Sequence, residues 1–165
     1  MNPPGDDIDR LMAVMASGFD PAFGEAWNRR QVEDALLVGN CSYGLAAAHG
    51  GEPKADEPAA GFYLARAGYE ESELLLIAVD PAHRGKGIGA ALLTRFAAEA
   101  RSCGARRLLL EMRRGNPAET LYLRFGFAPI GARPNYYRTP GGDRLDARFA
   151  FDRFAEVQGW VRRTR

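Results

Sequence analysis

The sequence has few cysteines and almost no net charge, and each shortage excludes a class of protein. Its 165 residues include two cysteines, Cys41 and Cys103, which are too few for a disulfide framework or a zinc cluster. The formal net charge is +1, so no strong electrostatic field favours nucleic acid or a membrane surface. We therefore expect buried or idle thiols in a reducing cytosol, no metal, and no nucleic-acid or membrane partner.

Long hydrophobic runs are also missing. No stretch reaches the roughly 18 apolar residues that a transmembrane helix needs, so we expect none. The first ten residues contain three aspartates and no apolar run, so we expect no secretory signal. With 46% hydrophobic residues, the chain can bury the core of one domain spanning residues 1–165. Composition thus predicts a single cytoplasmic globular domain.

Two common phosphate-binding motifs are absent as well. A Walker loop needs Gly-Lys followed by Ser or Thr, and Gly85-Lys86-Gly87 lacks that hydroxyl. A dinucleotide fingerprint needs Gly-x-Gly-x-x-Gly, whereas Gly85, Gly87 and Gly89 alternate without the last gap. The glycines of this segment therefore need another explanation.

That segment lies between a predicted buried strand and a predicted helix. Residues 74–79 form an uncharged, β-compatible run, and residues 88–100 carry apolar side chains at helical spacing. Glycine lets the backbone turn sharply near a ligand, and free amides at the start of a helix bind phosphate. Arg84 and Lys86 add positive charge. The alternative is a flexible glycine turn, but the arrangement favours a pyrophosphate cradle.

Periodicity and turn residues predict the remaining elements. Helices are expected over residues 6–17, 27–38, 88–100 and 116–124, and strands over 42–48, 60–67, 74–79, 106–112, 128–138 and 144–154. The strand–helix–strand unit over 74–112 implies a parallel pair with a right-handed crossover, with the cradle at the carboxyl end of its first strand. The fold class is α/β (α+β), a mixed central sheet flanked by about four helices.

Two loops carry further expectations. The connection over residues 49–58 is polar and rich in Gly and Pro, which predicts a mobile hairpin tip. Trp27, with Phe23, is a candidate for lining a substrate groove, although both residues can equally be core anchors that fix the second helix.

The glycine-rich segment and the sequence after it resemble a known family. Arg84-x-x-Gly87-x-Gly89, between strand and helix, resembles the acetyl-CoA signature of the GNAT N-acetyltransferase superfamily. The motifs similar to those of ribosomal-protein-alanine N-acetyltransferases are Glu111-Met112-Arg113, Asn116, Ala118-Glu119-Thr120-Leu121-Tyr122, Gly126-Phe127, Gly131-Ala132-Arg133-Pro134-Asn135-Tyr136-Tyr137 and Asp146-Ala147. The tyrosine pair is the most specific part, because Leu-Tyr and Gly-Phe occur across the superfamily.

The resemblance implies a co-substrate and a set of site residues. It implies acetyl-CoA as the co-substrate, and a peptide groove lined by Tyr136 and Tyr137. Asn116 is expected either to contact the CoA arm or to cap its helix. The implied cofactor-binding residues are Ile77, Ala78, Val79, Arg84, Gly85, Lys86, Gly87, Ile88, Gly89, Ala90 and Asn116.

The chemistry of acetyl transfer indicates which kinds of side chain the site needs. Acetyl transfer from a thioester to an amine needs a neutral amine, a donor for the developing negative charge and a proton for the leaving thiolate. The resemblance implies Glu111 as the base and Tyr122 as the acid, with a backbone amide near Val79 as the donor. Glu73 on the neighbouring strand is the competing base. Either glutamate can instead be a solvated or ion-paired carboxylate, and Tyr122 can be a core residue of its helix.

The pattern therefore predicts an acetyl-CoA-dependent N-acetyltransferase that acts on the N-terminal α-amine of a protein. An α-amine, with a pKa of about 7.7–8.0, is partly neutral near neutral pH, whereas a lysine near 10.4 is almost fully charged. We expect a peptide beginning with Ala or Ser, with a ribosomal protein as one candidate, and a monomer or homodimer.

Two alternatives remain. One is acetylation of a small amine or a lysine side chain, and the other is a non-catalytic CoA-binding module. The family leaves two residues between its Asn and Ala, whereas only Pro117 separates Asn116 from Ala118, which favours the module. The intact Glu111 and Tyr122 argue against it.

Overall fold

A six-stranded mixed sheet with helices on both faces forms the fold. The computed structural model describes residues 6–113, 115–138 and 144–152, with side chains up to residue 129. The strands are β1 (Cys41–Ala46), β2 (Gly61–Gly68), β3 (Glu71–Val79), β4 (Arg107–Arg113), β5 (Ala128–Arg138) and β6 (Arg144–Asp152). The α-helices of this described part are α1 (Asp7–Gly18), α2 (Arg29–Val38), α3 (Ile88–Ser102) and α4 (Glu119–Phe125).

The strand order is β1-β2-β3-β4-β6-β5, and only β3 and β4 are parallel among these neighbours. This confirms the predicted mixed sheet with a parallel pair and flanking helices. The last strand inserts between β4 and β5, which places β4 inside the sheet. Within the described residues, none of the helices has the length and hydropathy that a membrane span requires.

Side-chain hydrogen bonds to the backbone explain where two helices begin. The prediction started the second helix at Trp27, but Asn28 and Gln31 form a reciprocal capping box, so α2 starts at Arg29. The prediction started the fourth helix at Asn116. The Oδ1 of Asn116 instead accepts a hydrogen bond from the Ala118 amide at 3.0 Å, and this bond forms a turn before α4 begins. Ala118 is the N-cap of α4 and no side chain caps this helix, so Asn116 does not have the capping role that was one of its two expected roles.

The sheet separates two apolar cores. On one face α1 and α2 cover Phe62, Leu64, Leu76 and Ala78, and on the other face α3 and α4 cover a second set. The second set of sheet residues comprises Tyr63, Ala65, Leu74, Leu108, Leu110 and Met112. The α1 side is closely packed, since a Cβ added at Gly18 would lie 2.9 Å from Ala78 Cβ.

A β-bulge changes the direction of β3 beside the only parallel pair in the described sheet. Leu64 pairs with Leu76 and Ala65 pairs with Leu74, so Leu75 is an extra residue on β3. The parallel pairing with β4 ends at the same place, at Leu74 opposite Leu110. Beyond this point β3 and β4 run on without pairing to each other, which leaves a gap between their carboxyl ends.

Two arginines hold the connection between β1 and β2 in place by hydrogen bonds and an ion pair. Arg10 donates to the carbonyls of Lys54 and Glu57 at 2.8 and 3.1 Å. Arg95 donates to the Leu45 carbonyl and forms an ion pair with Glu52. The predicted hairpin is present, and these contacts anchor its connecting segment to α1 and α3.

Candidate functional site

A cavity of about 860 Å³ lies at the gap between β3 and β4. Ligand sites in α/β sheets occur at the carboxyl ends of strands, and this cavity has that position. The α1 side contributes Gly18, Phe19, Asp20, Phe23 and Glu25, and the other side contributes Ile88, Gly89, Ala90, Asn116, Pro117, Ala118, Leu121, Tyr122 and Arg124. The cavity is therefore lined from both faces of the sheet.

The edge of β3 supplies backbone amides to this gap. The Asp80 amide donates to the Ala60 carbonyl at 2.8 Å, which is on the β2 side. Successive amides point to opposite edges of a strand, so the amides of Ile77 and Val79 point toward β4. Because β4 does not pair with β3 here, these N–H groups face the gap. Ile77, Ala78 and Val79 all line the cavity.

The N-terminus of α3 forms the predicted cradle. Gly85 and Gly87 have φ angles of 77° and 82°, which a residue with a side chain rarely adopts. Gly87 is the N-cap of α3 and no side chain caps the helix, so its first-turn amides have no capping partner. A Cβ at either glycine would meet open space, which shows how exposed this turn is. The arrangement fits an anionic group.

Arg84 has a structural role in addition to its charge. Its Nε donates to the Val79 carbonyl at 3.1 Å and its Nη2 donates to the Gly18 carbonyl at 2.9 Å. Asp80 adds a second link, accepting from the Ala82 amide and from the Ser17 hydroxyl at 2.9 and 2.8 Å. These hydrogen bonds, the Ala82 amide first, hold the pKa of Asp80 below its usual value. Together they fix the end of β3 to the end of α1.

A close helix contact brings Tyr122 to the cavity. A Cβ built on Gly89 would lie 3.0 Å from Leu121 Cδ2, so α4 packs directly on the first turn of α3. Tyr122, the next residue of α4, is 7% exposed and lines the cavity. Its ring packs edge-on against Phe127, with centroids 6.1 Å apart. Tyr122 therefore belongs both to the core and to the cavity wall.

The two candidate bases occupy different environments. Glu73 pairs with Arg66 of β2 at 2.7 Å, on the part of β3 that is still paired with β4. Glu111 is the first residue of β4 beyond the last parallel pair, and its Oε1 is shielded from solvent. Its neighbours Leu110 and Met112 face the α3 core, so Glu111 faces the α1 side.

Arg113 shares that face of β4 and contacts the loop between α1 and α2. Its Nε donates to Glu25 Oε1 at 2.9 Å, and the two side chains are 13% and 15% exposed. Its guanidinium carbon lies 3.7 Å from the centroid of the Phe23 ring. Arg113, Glu25 and Phe23 thus form one wall of the cavity.

The structure does not bring every predicted residue to the cavity. Lys86 is exposed and does not line it, and Glu111 is not among the lining residues either. Trp27 packs against the core beneath α1 and α2, the alternative expected from sequence. Tyr136 and Tyr137 lie on β5, and their side chains fall outside the described part. In the described ranges, no three His, Cys, Asp or Glu side chains are grouped to hold a metal ion.

Sequence reasoning missed Glu25 and Arg124, which also line the cavity. Glu25 lies in a loop without a motif, and nothing in the sequence indicates that it meets Arg113, 88 residues later. Arg124 follows Leu121 by one helical turn, so helical spacing from the cradle contact could have identified it.

Comparison with known proteins agrees with this geometry. Residues 9–127 match the Acetyltransferase (GNAT) family. A [ribosomal protein bS18]-alanine N-acetyltransferase of Haemophilus influenzae is 36% identical over 87 residues, and this match spans 53% of this chain and 60% of that protein. A Bacillus subtilis protein that bears the same name as a provisional assignment is 30% identical over 141 residues, 85% of this chain and 87% of that protein.

A solved structure is similar over most of the chain. It is the ribosomal-protein-S18-alanine N-acetyltransferase from Escherichia coli, with a TM-score of 0.72 and 26% identity, and the match covers 88% of this chain and 86% of that one. The family match includes the cradle, both candidate bases and α4. The chain therefore belongs to the acetyltransferase (GNAT) family, and it is an N-acetyltransferase.

Proposed function

We propose that this enzyme transfers an acetyl group from acetyl-CoA to the N-terminal α-amine of a protein. One observation carries the proposal: the gap between β3 and β4 has an uncapped helix N-terminus on one side and a carboxylate-bearing wall on the other. The resulting cavity is lined from both faces of the sheet. A phosphate-bearing carrier and an amine can therefore approach the same gap from opposite faces.

The cradle fits the phosphates of acetyl-CoA, the co-substrate that GNAT enzymes use. The first-turn amides of α3 and the helix dipole favour a pyrophosphate, and the left-handed turn at Gly85 and Gly87 keeps side chains away from it. Acetyl-CoA supplies an activated acetyl thioester when it is bound. The amides of Ile77 and Val79 at the unpaired edge of β3 are donors for negative charge that develops during transfer.

Glu111 and Tyr122 would handle the protons. Glu111 faces the α1 side of the gap, where it can accept a proton from the incoming amine directly or through water. Tyr122, on α4 at the other side, carries the hydroxyl proton that a general acid needs. It can therefore donate that proton to the departing thiolate. Glu73 is paired with Arg66 on the part of β3 that is still paired with β4, which disfavours it as the base.

An α-amine is the acceptor that this arrangement serves best. A single carboxylate is a weak base, and an α-amine with a pKa of about 7.7–8.0 needs far less assistance than a lysine near 10.4. The names of the Haemophilus and Escherichia relatives give an alanine of a ribosomal protein as their acceptor. We therefore propose a protein N-terminus beginning with Ala or Ser, and a ribosomal protein as the first candidate.

The test is an acetylation assay with a peptide that carries both kinds of amine. We expect thiol release from acetyl-CoA and, by mass spectrometry, one acetyl group on the α-amine of an Ala-starting peptide with one internal lysine. The same peptide with a blocked N-terminus is the matched control, and it should release little thiol. Acetylation mainly on lysine would show that the acceptor class is wrong. Tight acetyl-CoA binding without transfer to any peptide or small amine would indicate a non-catalytic module.

A further inference from the structure

The loop between α1 and α2 crosses the cavity and has one strong attachment to β4. We call residues 19–28 the acceptor loop. Phe23, Glu25 and Trp27 alternate with exposed residues, so all three point inward. Trp27 anchors the far end of the loop in the core. Phe23 and Glu25, at its middle, both contact Arg113.

This attachment differs from the other ion pairs of the described residues. The ion pairs on α1 and α2, such as Arg29 with Glu33, include side chains that are 40% exposed or more, and such pairs contribute little. Glu25 and Arg113 are 15% and 13% exposed, at 2.9 Å. Removing one partner of a buried pair leaves the other charge without compensation, so breaking this pair is costly. The Phe23 ring stacked on the guanidinium extends the same contact.

The Glu25–Arg113 pair lies next to the proposed base. Arg113 lies two residues after Glu111 on β4, and in a strand residues i and i+2 face the same side. The side chain that holds the acceptor loop is therefore the neighbour of the proposed base. Any shift of the pair moves the loop relative to Glu111, across the gap where an amine would enter.

We propose that Arg113 is a positioning residue, which holds the acceptor loop against β4 through Glu25 and Phe23 and thereby sets the affinity for the acceptor amine. The inference rests on the proposed function. The loop is assigned to binding of the acceptor amine and not of acetyl-CoA, because the cradle for acetyl-CoA lies on the other side of the gap, at α3 and α4. Loss of the Glu25–Arg113 pair should therefore weaken binding of the acceptor and leave binding of acetyl-CoA almost unchanged.

The test measures both substrates in Glu25→Gln and Arg113→Lys. We expect KM for the peptide to rise about tenfold in each variant, and the double variant to be no worse than either, since contacting partners are not additive. The dissociation constant of acetyl-CoA should change less than twofold. The swapped variant, Glu25→Arg with Arg113→Glu, should recover part of the peptide affinity. Glu33→Gln, which breaks an exposed pair on α2, is the matched control.

A second measurement does not depend on activity. Hydrogen exchange at residues 19–28 should accelerate in Glu25→Gln and Arg113→Lys, with no change at the first turn of α3. Unchanged exchange in the loop, or wild-type peptide KM in an active variant, would overturn the role of Arg113. A wild-type protein that binds acetyl-CoA but acetylates no amine would instead refute the proposed function, while the exchange result still decides the role of Arg113.

Discussion

At the residue scale, Glu111 is the proposed base, and its position on β4 distinguishes it from Glu73, which carries the same carboxylate. Replacing its carboxylate by an amide preserves shape and removes the base, so Glu111→Gln should lower kcat by about 10²- to 10⁴-fold. The wild-type rate should rise with pH until the acceptor amine is neutral, and the variant should recover partly at high pH. Steady-state rates from pH 6 to 10 would measure this.

Glu73→Gln provides the matched control, since it makes the same chemical change on the neighbouring strand. Glu73 pairs with Arg66 on the part of β3 that remains paired, so the variant should keep near wild-type turnover. A dead Glu73→Gln beside an active Glu111→Gln would place the base on β3 and refute the assignment.

Sequence could identify the two glutamates but could not choose between them by pattern alone. Glu73 and Leu109 are opposite each other in the parallel register, so Glu111 lies two positions further along β4. That offset decides which carboxylate lies beyond the last parallel pair, and only the register reveals it. The Glu25–Arg113 contact was unpredictable for a related reason: it joins a loop without a motif to a distant strand.

At the scale of elements, the contact between α3 and α4 positions Tyr122. Gly89 lies against Leu121, and a Cβ there would be 3.0 Å from Leu121 Cδ2. Gly89→Val should push α4 away and destabilise the fold by about 1–3 kcal/mol, the usual range for overpacking. It should also lower kcat by moving the Tyr122 hydroxyl. Thermal unfolding and steady-state kinetics measure the two effects.

Two companion variants test this explanation. Gly89→Ala adds one methyl group against the flexible end of Leu121, so its effects should be much smaller. Leu121→Ala removes the opposing atoms, so it should restore much of the activity of Gly89→Val. If the double variant is no better than Gly89→Val alone, the contact between the helices is not the cause.

Most elements could be predicted, because their periodicity and turn residues are local signals. The prediction placed β3 over 74–79, whereas it begins at Glu71, because pairing with β2 and β4 compensates for the polar residues at its start. The start of α4 differs because the Asn116 side chain satisfies a backbone amide before the helix begins. Strand pairing and a hydrogen bond from a side chain to the backbone, both of which are weak in a sequence pattern, explain these two differences.

At the scale of the whole molecule, acid should weaken the attachment of α1 to the sheet. Asp7, at the start of α1, accepts a hydrogen bond from the Tyr43 hydroxyl of β1 at 2.6 Å. That bond, with help from Arg10, holds the pKa of Asp7 below its ordinary 3.8. Burial and Asp7 in turn raise the pKa of Tyr43 to about 12. A depressed carboxyl pKa stabilises the folded state above its ordinary pKa, and this contribution disappears as pH falls through the folded value.

Asp7→Asn should therefore lower the free energy of unfolding at pH 7, and the difference from wild type should shrink as the pH falls below 3.8. Urea denaturation at pH 7, 4 and 3 would measure it. Asp56→Asn, in the exposed connection between β1 and β2, is the matched control and should have little effect at any pH. A constant difference between wild type and Asp7→Asn across these pH values would contradict the explanation.

The one extra residue at Leu75 has a consequence for how this chain can change. Buried and partly buried residues alternate along β3 without interruption, yet Leu74 belongs to the α3 core, whereas Leu76 and Ala78 belong to the α1 core. A deletion at Leu75 would leave Leu74 and Leu76 adjacent, so each would keep its present partner on β2 and its present face of the sheet. Ile77 and Val79 would keep their side chains toward the α3 core and their amides toward β4. A loss of three nucleotides at this codon would thus remove the bulge while the donors keep their direction, so a one-residue gap in an alignment of this segment belongs at Leu75.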